Sequence, residues 1–95
     1  MRPAPSATTE LFTDKAQADA CTNLGAMYFQ GEGLPRDGMR ASALFEKACD
    51  LGNALACANL AGMFAAGAGV PRDGARASTL YGKACDLGDK ESCGK

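Results

Sequence analysis

Apolar side chains return at helical spacing along this chain, and the whole pattern returns again 36 residues later. Ala20, Leu24, Met27 and Tyr28 stand at i, i+4, i+7 and i+8, one stripe along a helix. Ala56, Leu60, Met63 and Phe64 repeat the stripe. The spacing predicts a helix A over Ala18–Gln30 and a second over Ala54–Ala66. Gly31-Glu32-Gly33-Leu34-Pro35-Arg36-Asp37 follows the first and Gly67-Ala68-Gly69-Val70-Pro71-Arg72-Asp73 the second. Two glycines and a proline within five residues stop a helix. Asp37 and Asp73 are then placed to cap a helix B, accepting bonds from its free amides. Helix B carries Ala41, Leu44, Phe45 and Ala48 at i, i+3, i+4 and i+7, and its copy carries Ala77, Leu80, Tyr81 and Ala84. Lys47 and Lys83 fall in the last turn, where a cation suits the helix dipole. Gly52 and Gly88 follow as left-handed C′ residues, and Asn53 and Asp89 are placed to cap whatever helix comes next.

When Ala20–Gly52 is laid on Ala56–Gly88, nearly two thirds of the positions are identical. A period of this length marks stacked supersecondary units rather than one closed globule. The expected fold is all-α, an α/α solenoid of antiparallel helical hairpins with 36-residue repeats. The expected divisions are 1–17, an N-terminal segment whose Glu10–Gln17 resembles the end of a preceding B helix; 18–53, the first repeat; 54–89, the second; and 90–95, the start of a third A helix. Alanines at 20, 41, 48, 56, 77 and 84 let the helices approach closely. A single hairpin cannot bury its own stripe, so each unit leans on its neighbour. Two units are few for that purpose, and a short stretch of a longer solenoid is the expectation. Gly82, where the first copy has Glu46, costs its helix about 1 kcal/mol.

Composition changes this picture little. The chain has 95 residues, a net charge of −1 and 46% hydrophobic residues, many of them alanine, so the core should be thin. Acidic and basic residues are interspersed, and nothing favours nucleic acid or an anionic membrane. Met1–Glu10 has no apolar core of a signal peptide, and no apolar run reaches membrane-spanning length.

The five cysteines change it more. Cys49 closes one B helix and Cys57 opens the next A helix, so the two face each other across the turn; Cys85 and Cys93 repeat the arrangement. Bridges Cys49–Cys57 and Cys85–Cys93 are predicted, each worth about 2.5 kcal/mol by loop closure, a large share for so thin a core. The same register would pair Cys21 with position 13, which is Thr13, leaving Cys21 a free thiol or a link between chains. With no histidine and no Cys-x-x-Cys, neither a metal site nor any other cofactor is expected. Bridging points to an oxidising compartment such as the periplasm, the extracellular space or the mitochondrial intermembrane space; unbridged cysteines would fit the cytoplasm.

The combined pattern, Leu24-Gly25-x-x-Tyr28-x-x-Gly31-x-Gly33-Leu34-Pro35-x-Asp37-x-x-Arg40-Ala41-x-x-x-Phe45-x-Lys47-Ala48-Cys49-x-x-Gly52, resembles the Sel-1-like repeat, a relative of the tetratricopeptide repeat. The Cys-Asp-Leu-Gly-x-x-x-x-Cys run is similar to the disulfide-bridged, cysteine-rich Hcp-type branch. Ala61 departs from the expected Gly, Phe64 from Tyr, and Thr13 from Cys. The resemblance implies a superhelical scaffold for protein or peptide partners, used chiefly along its A helices; the alternative it carries is a penicillin-binding protein or weak β-lactamase.

Two recurring pairs are the candidate peptide contacts. A carboxamide at Asn23 or Asn59 can satisfy both polar groups of an extended backbone, and Arg40 or Arg76 can meet a carboxylate. No catalytic residue is assigned. A lactamase needs an activated serine and an oxyanion hole. The one Ser-x-x-Lys, Ser92-Cys93-Gly94-Lys95, lacks both Ser-Asp-Asn and Lys-Thr-Gly.

Overall fold

The computed structural model describes residues 13–95. Helix α1 spans Asp14–Gln30, α2 Gly38–Asp50, α3 Ala54–Ala66 and α4 Gly74–Asp86, and a 3-10 segment occupies Lys90–Gly94. Successive helices pack as antiparallel hairpins, α1 on α2 and α3 on α4, and the hairpins meet chiefly through α2 and α3. The result is an all-α solenoid of two 36-residue units.

Local chemistry sets the ends of these helices. Asp37 accepts a bond from the Arg40 amide, Asp73 from the Arg76 amide and Asn53 from the Ala56 amide. Gly31 and Gly67 end the A helices in the left-handed region, at φ 76° and 69°, where a side chain would be strained. Helix α4 continues unbroken through Gly82. Asp89 departs from the expected cap: its side chain bonds no backbone amide but receives the Ser92 hydroxyl at 2.6 Å.

The first helix also departs from expectation. Residues 14–17, read from the sequence as the end of a preceding B helix, form the first turn of α1, because Thr13 caps it through a bond from the Ala16 amide. Asp14 in that turn favours the helix dipole. The rest of the supposed B-helix remnant, Glu10–Phe12, lies outside the described residues.

The predicted A-helix stripe has two fates. In the second repeat Ala56, Leu60 and Met63 are buried, the last two at 1% and 2% exposure. In the first repeat Ala20 is exposed, and Leu24 and Met27 are each 38% exposed, while Ala18, Thr22 and Gly25 turn inward. An A helix therefore has two apolar sides. One packs on its own B helix: a Cβ built on Gly25 would lie 2.9 Å from the Phe45 ring. The other packs on the preceding repeat, and among the described residues only α3 has one.

The shared core comprises Phe45, Leu60 and Met63 with buried alanines and the Cys49–Cys57 bridge. The repeats also touch backbone to backbone. Gly38, first residue of α2, lies so close to Gly69 that a Cβ on it would sit 2.6 Å from the Gly69 carbonyl oxygen.

Candidate functional site

At the repeat boundary a cleft of about 370 Å³ opens between α1 and α3. Its apolar lining comes from Phe29 on α1, Phe45 on α2 and Met63 on α3, with small residues along α3 keeping it open. Two carboxamides, Gln30 and Asn59, stand on its wall. Among the described residues, no charged side chain lines it. Asn59 is half-buried and Gln30 exposed, so an arriving backbone can reach both amides without first displacing a partner.

The four candidate contacts do not converge. Asn59 lines this cleft, whereas Asn23, its counterpart one repeat earlier, is exposed on α1 and outside the cleft. Arg40 and Arg76 do meet carboxylates, but those of their own chain. Arg40 lies 3.4 Å from Asp37 and over the Tyr28 ring. Arg76 lies 3.3 Å from Glu46 of the preceding repeat and 4.8 Å from the centre of the Phe64 ring. Lys83 likewise reaches back 3.3 Å to Asp50. The last two pairs tie one B helix to the next.

Sequence reasoning missed Phe29 and Gln30 as cleft residues. The signal was the difference between the copies: the second repeat has Ala65 and Ala66 in those places. Their larger side chains give the boundary a wall that a strictly repeated sequence would lack.

Both predicted bridges are present, Cys49–Cys57 with Cα atoms 4.7 Å apart and Cys85–Cys93 with Cα atoms 4.8 Å apart. Cys21 is a free, partly buried thiol packed against the core. The Ser92–Lys95 motif is dispersed. Ser92 is buried with its hydroxyl donated to Asp89, and the Lys95 ammonium lies 5.5 Å from the centre of the Tyr81 ring. The geometry therefore lends the lactamase alternative no support. Among the described residues, no group of three His, Cys, Asp or Glu side chains could hold a metal, and no helix is long and apolar enough to cross a membrane.

Repeat length, helix order and bridges together match one family. The Sel1 repeat model matches residues 18–53 and 54–89. The chain belongs to the Sel1 repeat family. Its fold is similar to Helicobacter pylori cysteine rich protein B (TM-score 0.78, 32% identity), the likeness covering 81% of this chain and 58% of that one. It is also similar to a Sel1 repeat protein from Oxalobacter formigenes, with a TM-score of 0.77, 28% identity and 92% of this chain against 37% of that one. A third likeness is to c5321, a protective antigen of uropathogenic Escherichia coli strains displaying an SLR fold, with a TM-score of 0.75, 32% identity, and 79% of this chain against 16% of that one. This Sel1 repeat chain thus spans less than two thirds of each of these relatives. A search of curated proteins returned no match. The two bridges and the likeness to the cysteine rich protein are consistent with the disulfide-bridged branch, and such bridges are the mark of an oxidising compartment.

Proposed function

We propose that this Sel1 repeat chain is a peptide-binding scaffold whose working surface is the cleft between α1 and α3. One observation carries the reading: the cleft joins an apolar floor of Phe29, Phe45 and Met63 to two carboxamides, Gln30 and Asn59. A carboxamide offers both a donor and an acceptor, the two groups that one residue of an extended backbone presents. The floor then takes one uncharged apolar side chain, since no lining residue could pair with a charge. Asn23 marks the same backbone contact one repeat earlier. In this reading Arg76 holds one B helix to the next, Arg40 stays with Asp37 of its own loop, and neither touches the peptide. The bridges and the likeness to a cysteine rich protein favour an extracytoplasmic setting for the partner.

The test is selection from a displayed peptide library on the purified, oxidised chain. Peptides that bind it should lose about tenfold in affinity on Asn59→Ala, the size of one lost polar contact. They should lose as much on Met63→Gln, with the fold checked by circular dichroism. Selected peptides that bind both variants as well as the parent sink this assignment of the cleft. Hydrolysis of a chromogenic cephalosporin above the buffer rate would instead revive the enzymatic alternative.

A further inference from the structure

We infer that the open side of the first repeat, away from the cleft, is a docking surface for an amphipathic helix of a partner protein that carries two acidic residues one helical turn apart. The molecule contains its own template for this contact. In the second repeat the stripe of Leu60 and Met63 is buried where α3 meets α2. Beside it, α2 supplies Glu46 to Arg76 and Asp50 to Lys83. Glu46 and Asp50 are four residues apart and so share a face.

Among the described residues, the first repeat presents the same receiving surface exposed. Leu24 and Met27 take the places of Leu60 and Met63 and are each 38% exposed. Arg40 and Lys47 take the places of Arg76 and Lys83. Arg40, with no acid of a neighbouring helix in reach among the described residues, turns back to Asp37 of its own loop, and Lys47 forms no ion pair among them. Between them Leu24, Tyr28, Arg40, Ala43 and Leu44 line a groove of about 270 Å³, room for one large apolar side chain of an incoming helix.

Charge complementarity separates the occupants. A second copy of this chain would have to present α4, the counterpart of α2. That helix has Gly82 where Glu46 stands, so it could satisfy Lys47 through Asp86 and leave Arg40 without an acid. A partner helix with acids at i and i+4 satisfies both. Apolar area supplies most of such an affinity, and the two cations fix orientation and register.

The probe is a synthetic peptide of the α2 sequence, residues 38–50, with Cys49→Ser and a covalent staple on its outer side to hold it helical. It should bind the oxidised full-length chain saturably by fluorescence anisotropy. Leu24→Asp, at an exposed position, should weaken binding about tenfold or more, while Asn59→Ala in the peptide cleft leaves it unchanged. Reversing both acids of the peptide to lysine should cost about tenfold, and Arg40→Glu with Lys47→Glu in the chain should restore affinity for the reversed peptide. No binding by the parent chain, or no rescue by the charge swap, overturns the proposal. Self-association of the chain that the peptide displaces would assign the surface to a second copy. Tighter peptide binding by Phe12→Asp would assign it to the chain's own first residues. Either result overturns the partner helix.

Discussion

Gly38 and Gly74 hold the same place at the start of a B helix, yet a methyl group meets different surroundings at each. On Gly38 it would press into the Gly69 backbone of the next repeat, 2.6 Å from the carbonyl oxygen; on Gly74 it would meet nothing within 4 Å. Backbone cannot rotate aside as a side chain can, so Gly38→Ala must push the repeats apart. It should lower stability by roughly 1–3 kcal/mol, as overpacking does. Gly74→Ala should be neutral or raise stability by about 0.4–1 kcal/mol through loss of unfolded-state freedom. Thermal denaturation of the two variants beside the parent checks both signs; equal shifts would deny the close approach. The glycines were visible in the sequence, but their difference was not. It lies in the neighbour each one meets, and a repeat pattern makes equivalent residues look alike. Gly25 and Ala61 show the same limit from the other side. A Cβ at 25 would lie 2.9 Å from the Phe45 ring, whereas Ala61 is fully buried in the equivalent place of a hairpin that has Tyr81.

At the scale of the elements, the turns from B helix to A helix were the most legible part of the chain. Cysteines eight residues apart across a glycine turn have one antiparallel arrangement open to them, and both bridges form. Their surroundings differ, however. Cys49 and Cys57 are buried at 1% and 0% exposure, while Cys85 is half-buried and Cys93 exposed. A thiolate must reach the sulfur it attacks. Titration with a thiol reductant, quenched by alkylation and read by peptide mass, should therefore open Cys85–Cys93 before Cys49–Cys57. Simultaneous opening would indicate that the first bridge is reached only by global unfolding of a marginal fold. The start of α1 was misread in this same register. Aligning position 13 with Cys49 implies a missing bridge to Cys21, but Thr13 caps a continuous helix. Eight residues of helix span roughly 12 Å, well beyond the roughly 7 Å limit for bridged Cα atoms. Thr13→Cys should thus leave two free thiols by mass after alkylation, and a third bridge would contradict the continuous helix. Thr13 followed by Asp14 is itself a helix-start signal, which the repeat register obscured.

For the whole molecule, the question is whether two repeats make one cooperative unit or two adjoining ones. The core answers through its membership: Phe45 of the first repeat packs with Leu60 and Met63 of the second in a single cluster. Neither hairpin owns that cluster, so removing part of it should weaken both. Leu60→Ala empties a site at 1% exposure and should cost roughly 2–5 kcal/mol. Leu24→Ala makes the same chemical change one repeat earlier, where the side chain is 38% exposed, and should cost less than about 1 kcal/mol. Both variants should still unfold in one transition, because a unit that cannot bury its stripe alone has no independent folded state. Chemical denaturation followed by circular dichroism, with the bridges intact, distinguishes the cases. A large loss at Leu60 within one transition places the stability at the boundary between repeats. Two separate transitions, or equal losses at the two leucines, would mean that each hairpin is held by its own contacts and its bridge. The proposed peptide cleft lies over that boundary, with Phe45 and Met63 in both its floor and the shared core. A peptide seated there and a stable boundary therefore depend on the same side chains, and binding should raise the midpoint of the single transition with the logarithm of free peptide concentration above its Kd.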